Sequence, residues 1–150
     1  MQRVLFLASV GLAFVAGAAT TKLLPSANAA GETITPQLVH VGELTPEALG
    51  IASGTGMRSK GFVTADGMTL AIQLGNAPKH QHPNTNEFQY ILEGSGTTWL
   101  GDKEVQVKAG DLLIIPKGTT HGGTKTNGAP LKAIAIKTPP QAPDDTKPVN

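Results

Sequence analysis

Met68, Leu70, Ile72 and Leu74 alternate with Thr69, Ala71 and Gln73, directly after the dipeptide Asp66-Gly67. A hydrophobic period of two is the signature of a half-buried strand. Asp-Gly between that strand and the run Gly61–Ala65 predicts a two-residue type I′ hairpin. The same grammar continues down the chain. Glu87–Glu93 is a strand, Gly94-Ser95-Gly96 turns, Thr97–Leu100 is the next strand, and Gly101-Asp102 is another tight turn. Val105 and Val107 alternate in the strand after it, Ala109-Gly110 turns again, and Leu131–Lys137 is the last strand. Asp111–Pro116 is apolar on both faces, which predicts a buried strand. Strands at intervals of about eight to twelve residues with such turns exclude a helical bundle and imply an all-β sandwich or barrel. Eighteen glycines and 11 prolines with few aromatic residues agree with short strands and tight turns.

The segment before this pattern reads differently. Gln37–Val41 is expected to be a short extended run. Thr45-Pro46-Glu47-Ala48-Leu49-Gly50 is expected to be one helical turn, with Thr45 as N-cap, Pro46 as first helical residue and Gly50 as stop. Earlier still, one positive charge (Arg3) precedes an apolar run from Val4 to Ala19, and Ala27-Asn28-Ala29 places small residues at the two positions a signal peptidase reads. A spanning helix needs about 20 apolar residues, so this run is short for a membrane anchor. The expected organisation is a cleaved signal peptide over 1–29, one domain over 30–137 and a Pro-rich tail over 138–150. That tail is expected to be extended or disordered. A lone arginine before the apolar run speaks against a twin-arginine signal, so export would be in the unfolded state, to the periplasm or the medium.

The chain has 12 basic and 11 acidic residues; without Arg3 and Lys22 it has 10 against 11. So balanced a charge without a basic run offers nothing to nucleic acid. Contact with a membrane is expected only through the signal peptide during export. Cysteine is absent, which excludes disulfides and a thiol nucleophile, and leaves packing to hold the domain.

Chemistry concentrates between His80 and Gly94. His80 and His82 are two apart, so an extended backbone presents both imidazoles on one face. Pro83-Asn84-Thr85-Asn86 favours a turn that can return Glu87 to them. Two imidazoles and a carboxylate aimed at one point suit a divalent transition metal. A second segment, Gly110 to His121, ends a strand in the turn Pro116-Lys117-Gly118 and delivers a third histidine.

Together these segments resemble the cupins. The first cupin motif is matched by His80, His82, Glu87 and Gly94, the second by Gly110, Pro116, Gly118 and His121. The resemblance covers roughly residues 70 to 136 and takes in three of the four histidines of the chain. Two positions depart from the usual pattern: Gly75 lies one residue closer to His80, and Lys125 stands where an Asn often follows the last His. The resemblance implies a small jelly-roll barrel, a double-stranded β-helix, with His80, His82, Glu87 and His121 as ligands of one metal ion. Manganese, iron, nickel, zinc and copper all suit that donor set. His40 lies outside both motifs and is expected at the surface or as a satisfied core residue.

Alternation from Glu87 turns Gln89 and Ile91 inward, making Gln89 a candidate hydrogen-bond donor to substrate or to a ligand residue. Phe88 and Tyr90 take the opposite face. Trp99 has two readings, pocket lining or core cover. The resemblance implies metal-dependent, dioxygenase-like oxidation of a small organic molecule, with Glu87 doubling as the base. A non-catalytic extracytoplasmic module for a small ligand or metal is the alternative, since fold alone does not imply chemistry. A homodimer stays open.

Overall fold

The structure, a computed structural model, describes residues 33–51 and 55–150. The expected signal peptide lies outside the described residues. No helix among the described residues is long and apolar enough to cross a membrane. Among the described residues eleven strands follow in order: β1 Gly50–Ile51, β2 Arg58–Ala65, β3 Met68–Leu74, β4 His80–Gln81, β5 Asn86–Glu93, β6 Ser95–Leu100, β7 Lys103–Lys108, β8 Leu112–Ile115, β9 His121–Thr126, β10 Lys132–Thr138 and β11 Lys147–Pro148. They form two antiparallel sheets, β1-β2-β3-β10-β5-β8 and β11-β4-β9-β6-β7. The chain passes from one sheet to the other and back, as a jelly roll must.

The hairpin predicted at Asp66-Gly67 is present, with both residues at positive φ, 47° and 75°, as a type I′ turn requires. β10 is central in its sheet, paired with β3 on one side and β5 on the other, so that Lys137 lies opposite both Thr69 and Glu87. Between the sheets Ile91, Val107, Leu113, Ile115, Leu131 and Ala133 form one buried cluster. Burying each large aliphatic side chain contributes about 1.5–3 kcal/mol, which suits a domain without disulfides.

Several local expectations change. Asp111–Pro116 does not give a strand buried on both faces. Leu113 and Ile115 are 6% and 2% exposed, but Leu112 and Ile114 are 60% and 59% exposed. The reason is position: β8 is an edge strand paired only with β5, and nothing among the described residues covers its outer face. Gln37–Val41 joins no sheet; it leads into a 3₁₀ turn at Val41–Glu43. The helical turn after Thr45 is present as Pro46–Ala48, with Thr45 Oγ1 accepting from the Ala48 amide at 3.4 Å, but Leu49 ends it and Gly50 already opens β1.

The tail packs back onto the domain. Its Lys147–Pro148 pairs with β4, and Asp145 is 3% exposed. Asp145 Oδ1 accepts from the Asn84 backbone and side-chain amides at 3.0 and 2.8 Å, tying the tail to the turn between His82 and Glu87. Of the two expectations, extended or disordered, the paired stretch is extended: backbone pairing and these bonds to a buried carboxylate offset the ordering entropy.

Candidate metal centre

Four expected ligands come from three places. His80 opens β4, His82 follows it, Glu87 lies near the start of β5, and His121 opens β9, with His80 directly opposite His121 across the β4–β9 pair. The inward face of β5 carries Glu87, Gln89 and Ile91, as the alternation predicts. Tyr90, on the outer face, is 43% exposed. His40 is exposed, as expected for a histidine outside the motifs.

The three imidazoles each offer a nitrogen within 4.8 Å of the others, with His82 and His121 buried and His80 half-buried. Their rings are held from behind. His80 Nδ1 lies 2.6 Å from the Pro78 carbonyl, His82 Nδ1 3.2 Å from the Asp145 carbonyl, and His121 Nδ1 2.9 Å from the Thr119 carbonyl. A carbonyl can only accept, so each Nδ1 carries the proton and Nε2 is left with its lone pair. Such backing is what orients an imidazole as a metal ligand. His121 Nε2 is buried without a hydrogen-bond partner among the described residues, an expense that a ligand at that atom would relieve. The donor set and this orphaned nitrogen fit a divalent transition ion.

Glu87 sits among these nitrogens. Its Oε2 is 3.2 Å from His82 Nε2 and 3.3 Å from His121 Nε2, and its side chain is 2% exposed. Burial pushes its pKa up, yet contacts with His121 and His82 and the charge of Lys137 together hold it well below the usual carboxylate range. Burial, reinforced by its histidine neighbours, lowers His80 to about 4, which keeps it neutral and able to ligate at neutral pH. Gln89 Nε2 donates to Glu87 Oε1 at 2.8 Å, so the amide expected to bond to a ligand residue or substrate bonds to Glu87. That leaves Oε2 to face the imidazoles.

Two contributors escape sequence reasoning. Lys137 Nζ lies 3.6 Å from Glu87 Oε2 and 3.4 Å from His82 Nε2. Asp145 supplies the carbonyl behind His82 from 63 positions away. The only signal for Lys137 was its inward parity at the end of β10; nothing in the tail marked Asp145. Trp99 is outside the pocket: Thr98, its neighbour on β6, faces inward, while Lys79 Nζ stacks 4.4 Å from the Trp99 ring. Beside the histidines a small cavity of about 40 Å³ is lined by His80, Gln89, Ile91, Ile115 and His121 among others. A larger one, of about 170 Å³, adjoins it through Gln73 and includes Ser59, Thr69, Lys137 and Gln141.

A two-sheet β-helix with three imidazoles and a carboxylate converging in its mouth defines a class, the small barrels built around a metal-type pocket. The Cupin domain family model matches residues 68–137, and this stretch is a small cupin domain. Uncharacterized protein MJ1618 of Methanocaldococcus jannaschii is 37% identical over 68 residues, 45% of this chain and 54% of that protein. Acireductone dioxygenase 1 of Physcomitrium patens is 28% identical over 121 residues, 71% of this chain and 62% of that one. The chain therefore spans about half the length of the curated relatives it matches. Among solved structures, the polyketide cyclase RemF from Streptomyces resistomycificus superposes with a TM-score of 0.61 at 22% identity, covering 77% of this chain and 87% of that one. At that identity the likeness speaks for the fold.

Proposed function

We propose that this protein is an exported metal-binding cupin that acts on a small organic molecule as a dioxygenase-like oxidoreductase. His80, His82, His121 and Glu87 would hold one divalent transition ion. The observation that carries this reading is the backing of all three imidazoles by backbone carbonyls, which turns their Nε2 lone pairs toward one ionised, buried carboxylate. Lone pairs facing a carboxylate are unfavourable unless cations lie among them; Lys137 reaches His82 and Glu87, but His121 Nε2 has no partner among the described residues. A bound ion would supply Lewis acidity and, if redox-active, electron transfer. The chain's own part is to orient and to move a proton. Gln89 anchors Glu87 Oε1, Oε2 accepts a proton from the substrate, and Ile91, Leu113 and Ile115 keep water from the inner wall. The relation to an acireductone dioxygenase supports oxidation as the class of chemistry.

A second reading, a module that captures a small ligand without turning it over, is favoured by the size of the cavity at the histidines, about 40 Å³. Comparison of wild type and Glu87→Gln, both brought to full metal occupancy, for substrate loss and oxygen uptake under air separates the two. Turnover by wild type that vanishes in occupied Glu87→Gln supports the base. Activity that follows occupancy alone removes that role, and inactivity of both across small phenols and carboxylates supports the binding module.

A further inference from the structure

Lys137 is placed where a metal site ordinarily tolerates no cation. Its Nζ is 3.4 Å from His82 Nε2, the atom that would ligate the ion. Adding a metal–imidazole bond of about 2.1 Å puts the two cations no more than about 5.5 Å apart. Like charges so close, beside His82 and Glu87 that are each 2% exposed, oppose each other strongly. Among the described residues Glu87 is the one carboxylate in contact with both the imidazoles and Lys137. A divalent ion and an ammonium against one carboxylate leave two positive charges unmet. Lys137 is not pinned to Glu87, because it also donates to Gln141 Oε1, and its stem lines the larger cavity with Ser59, Thr69 and Gln73. That cavity, about 170 Å³, is edged by hydroxyl and amide groups, with no carboxylate among the described residues that line it.

We infer that Lys137 makes this site a receptor for a metal ion together with a small carboxylate, the carboxylate lying in the Lys137 cavity and bonded to Nζ. The inference rests on the metal reading above and names the ligand class that reading lacks. It implies reciprocal coupling: the anion tightens the metal and the metal tightens the anion, with Lys137 carrying the effect. Without an anion, Lys137 weakens metal binding.

The experiment is calorimetric titration of the purified protein with Mn(II), and separately with Ni(II), in acetate or in acetamide at matched ionic strength. Acetamide has the shape of acetate without the charge. In wild type, acetate should tighten the metal roughly five- to tenfold over acetamide, the lower part of the usual range for coupled sites. Lys137→Met should bind metal more tightly than wild type in acetamide and lose the acetate effect, whereas Lys137→Arg should keep it. Weaker metal binding by Lys137→Met in both solutions, with the acetate effect unchanged, overturns the inference and leaves the metal reading standing. Folded protein that binds neither ion in either solution overturns both.

Discussion

Alanine at Gly122 tests whether the tight seating of β9 on the loop before β4 holds the metal centre together. Gly122 has φ +85°, and a Cβ there would lie 2.5 Å from the Pro78 carbonyl oxygen and 3.1 Å from His80 Nδ1. Two costs combine, and two other glycines separate them. Gly101 has φ +67° with nothing within 4 Å of a Cβ, so alanine there carries conformational strain alone, about 1–2 kcal/mol. Gly96 has an ordinary φ, but its Cβ would lie 2.2 Å from the Lys125 carbonyl oxygen, an overpacking of about 1–3 kcal/mol or more. Gly122→Ala should therefore lose about 2–5 kcal/mol, the sum of both. For a domain of this size each kcal/mol lowers Tm by roughly 4 °C, so the drop should be roughly 8–20 °C against about 4–8 °C for Gly101→Ala. The assay is urea and thermal unfolding by far-UV circular dichroism, with chelator present to remove any metal contribution. A backbone shift at Gly122 also moves the Pro78 carbonyl off His80, so metal affinity should fall in Gly122→Ala and stay unchanged in Gly101→Ala. Equal stability of those two variants would refute the packing account.

Metal removal by a chelator should lower Tm, by about 4 kcal/mol of stabilisation if the free ion stands at a thousand times its Kd; His121→Ala should erase that difference while keeping an all-β spectrum. His80 is neutral in the fold with its pKa lowered to about 4, so between that value and about 6.5 the unfolded chain binds more protons. Metal-free stability should thus fall as pH drops from 6.5 toward 4, on top of the loss from Glu87 at the acid end, and His80→Gln should flatten the slope when thermal melts are compared across pH. Asp145→Asn should loosen the tail from Asn84, seen as faster amide exchange over residues 141–149 and a weaker metal Kd through the His82 backing. Mass measurement of protein from an extracytoplasmic fraction should show a chain starting at Ala30 or within a residue or two; a full-length species held in the membrane would refute the export reading.

Strand identity was legible because it depends on local rules. Alternation after Asp66-Gly67 needs only the two-residue period of a pleated backbone and a turn that tolerates positive φ. The histidine pair and Glu87 were legible for the same reason: strand parity and one short turn bring them together. β8 was misjudged because its composition, Leu-Leu-Ile-Ile, records that the strand is apolar and not how many neighbours cover it. Edge position follows from the order of strands in the sheet, which no segment of the chain encodes by itself. Lys137 and Asp145 belong to the same class of outcome. Each reaches the site through pairing across 50 residues or more, β10 against β5 and the tail against β4. Sequence alone thus determined which residues can ligate, since that is a matter of side-chain chemistry and local spacing. Only the tertiary structure decided which carbonyls orient them and which ammonium stands beside them, because long-range strand pairing sets those distances.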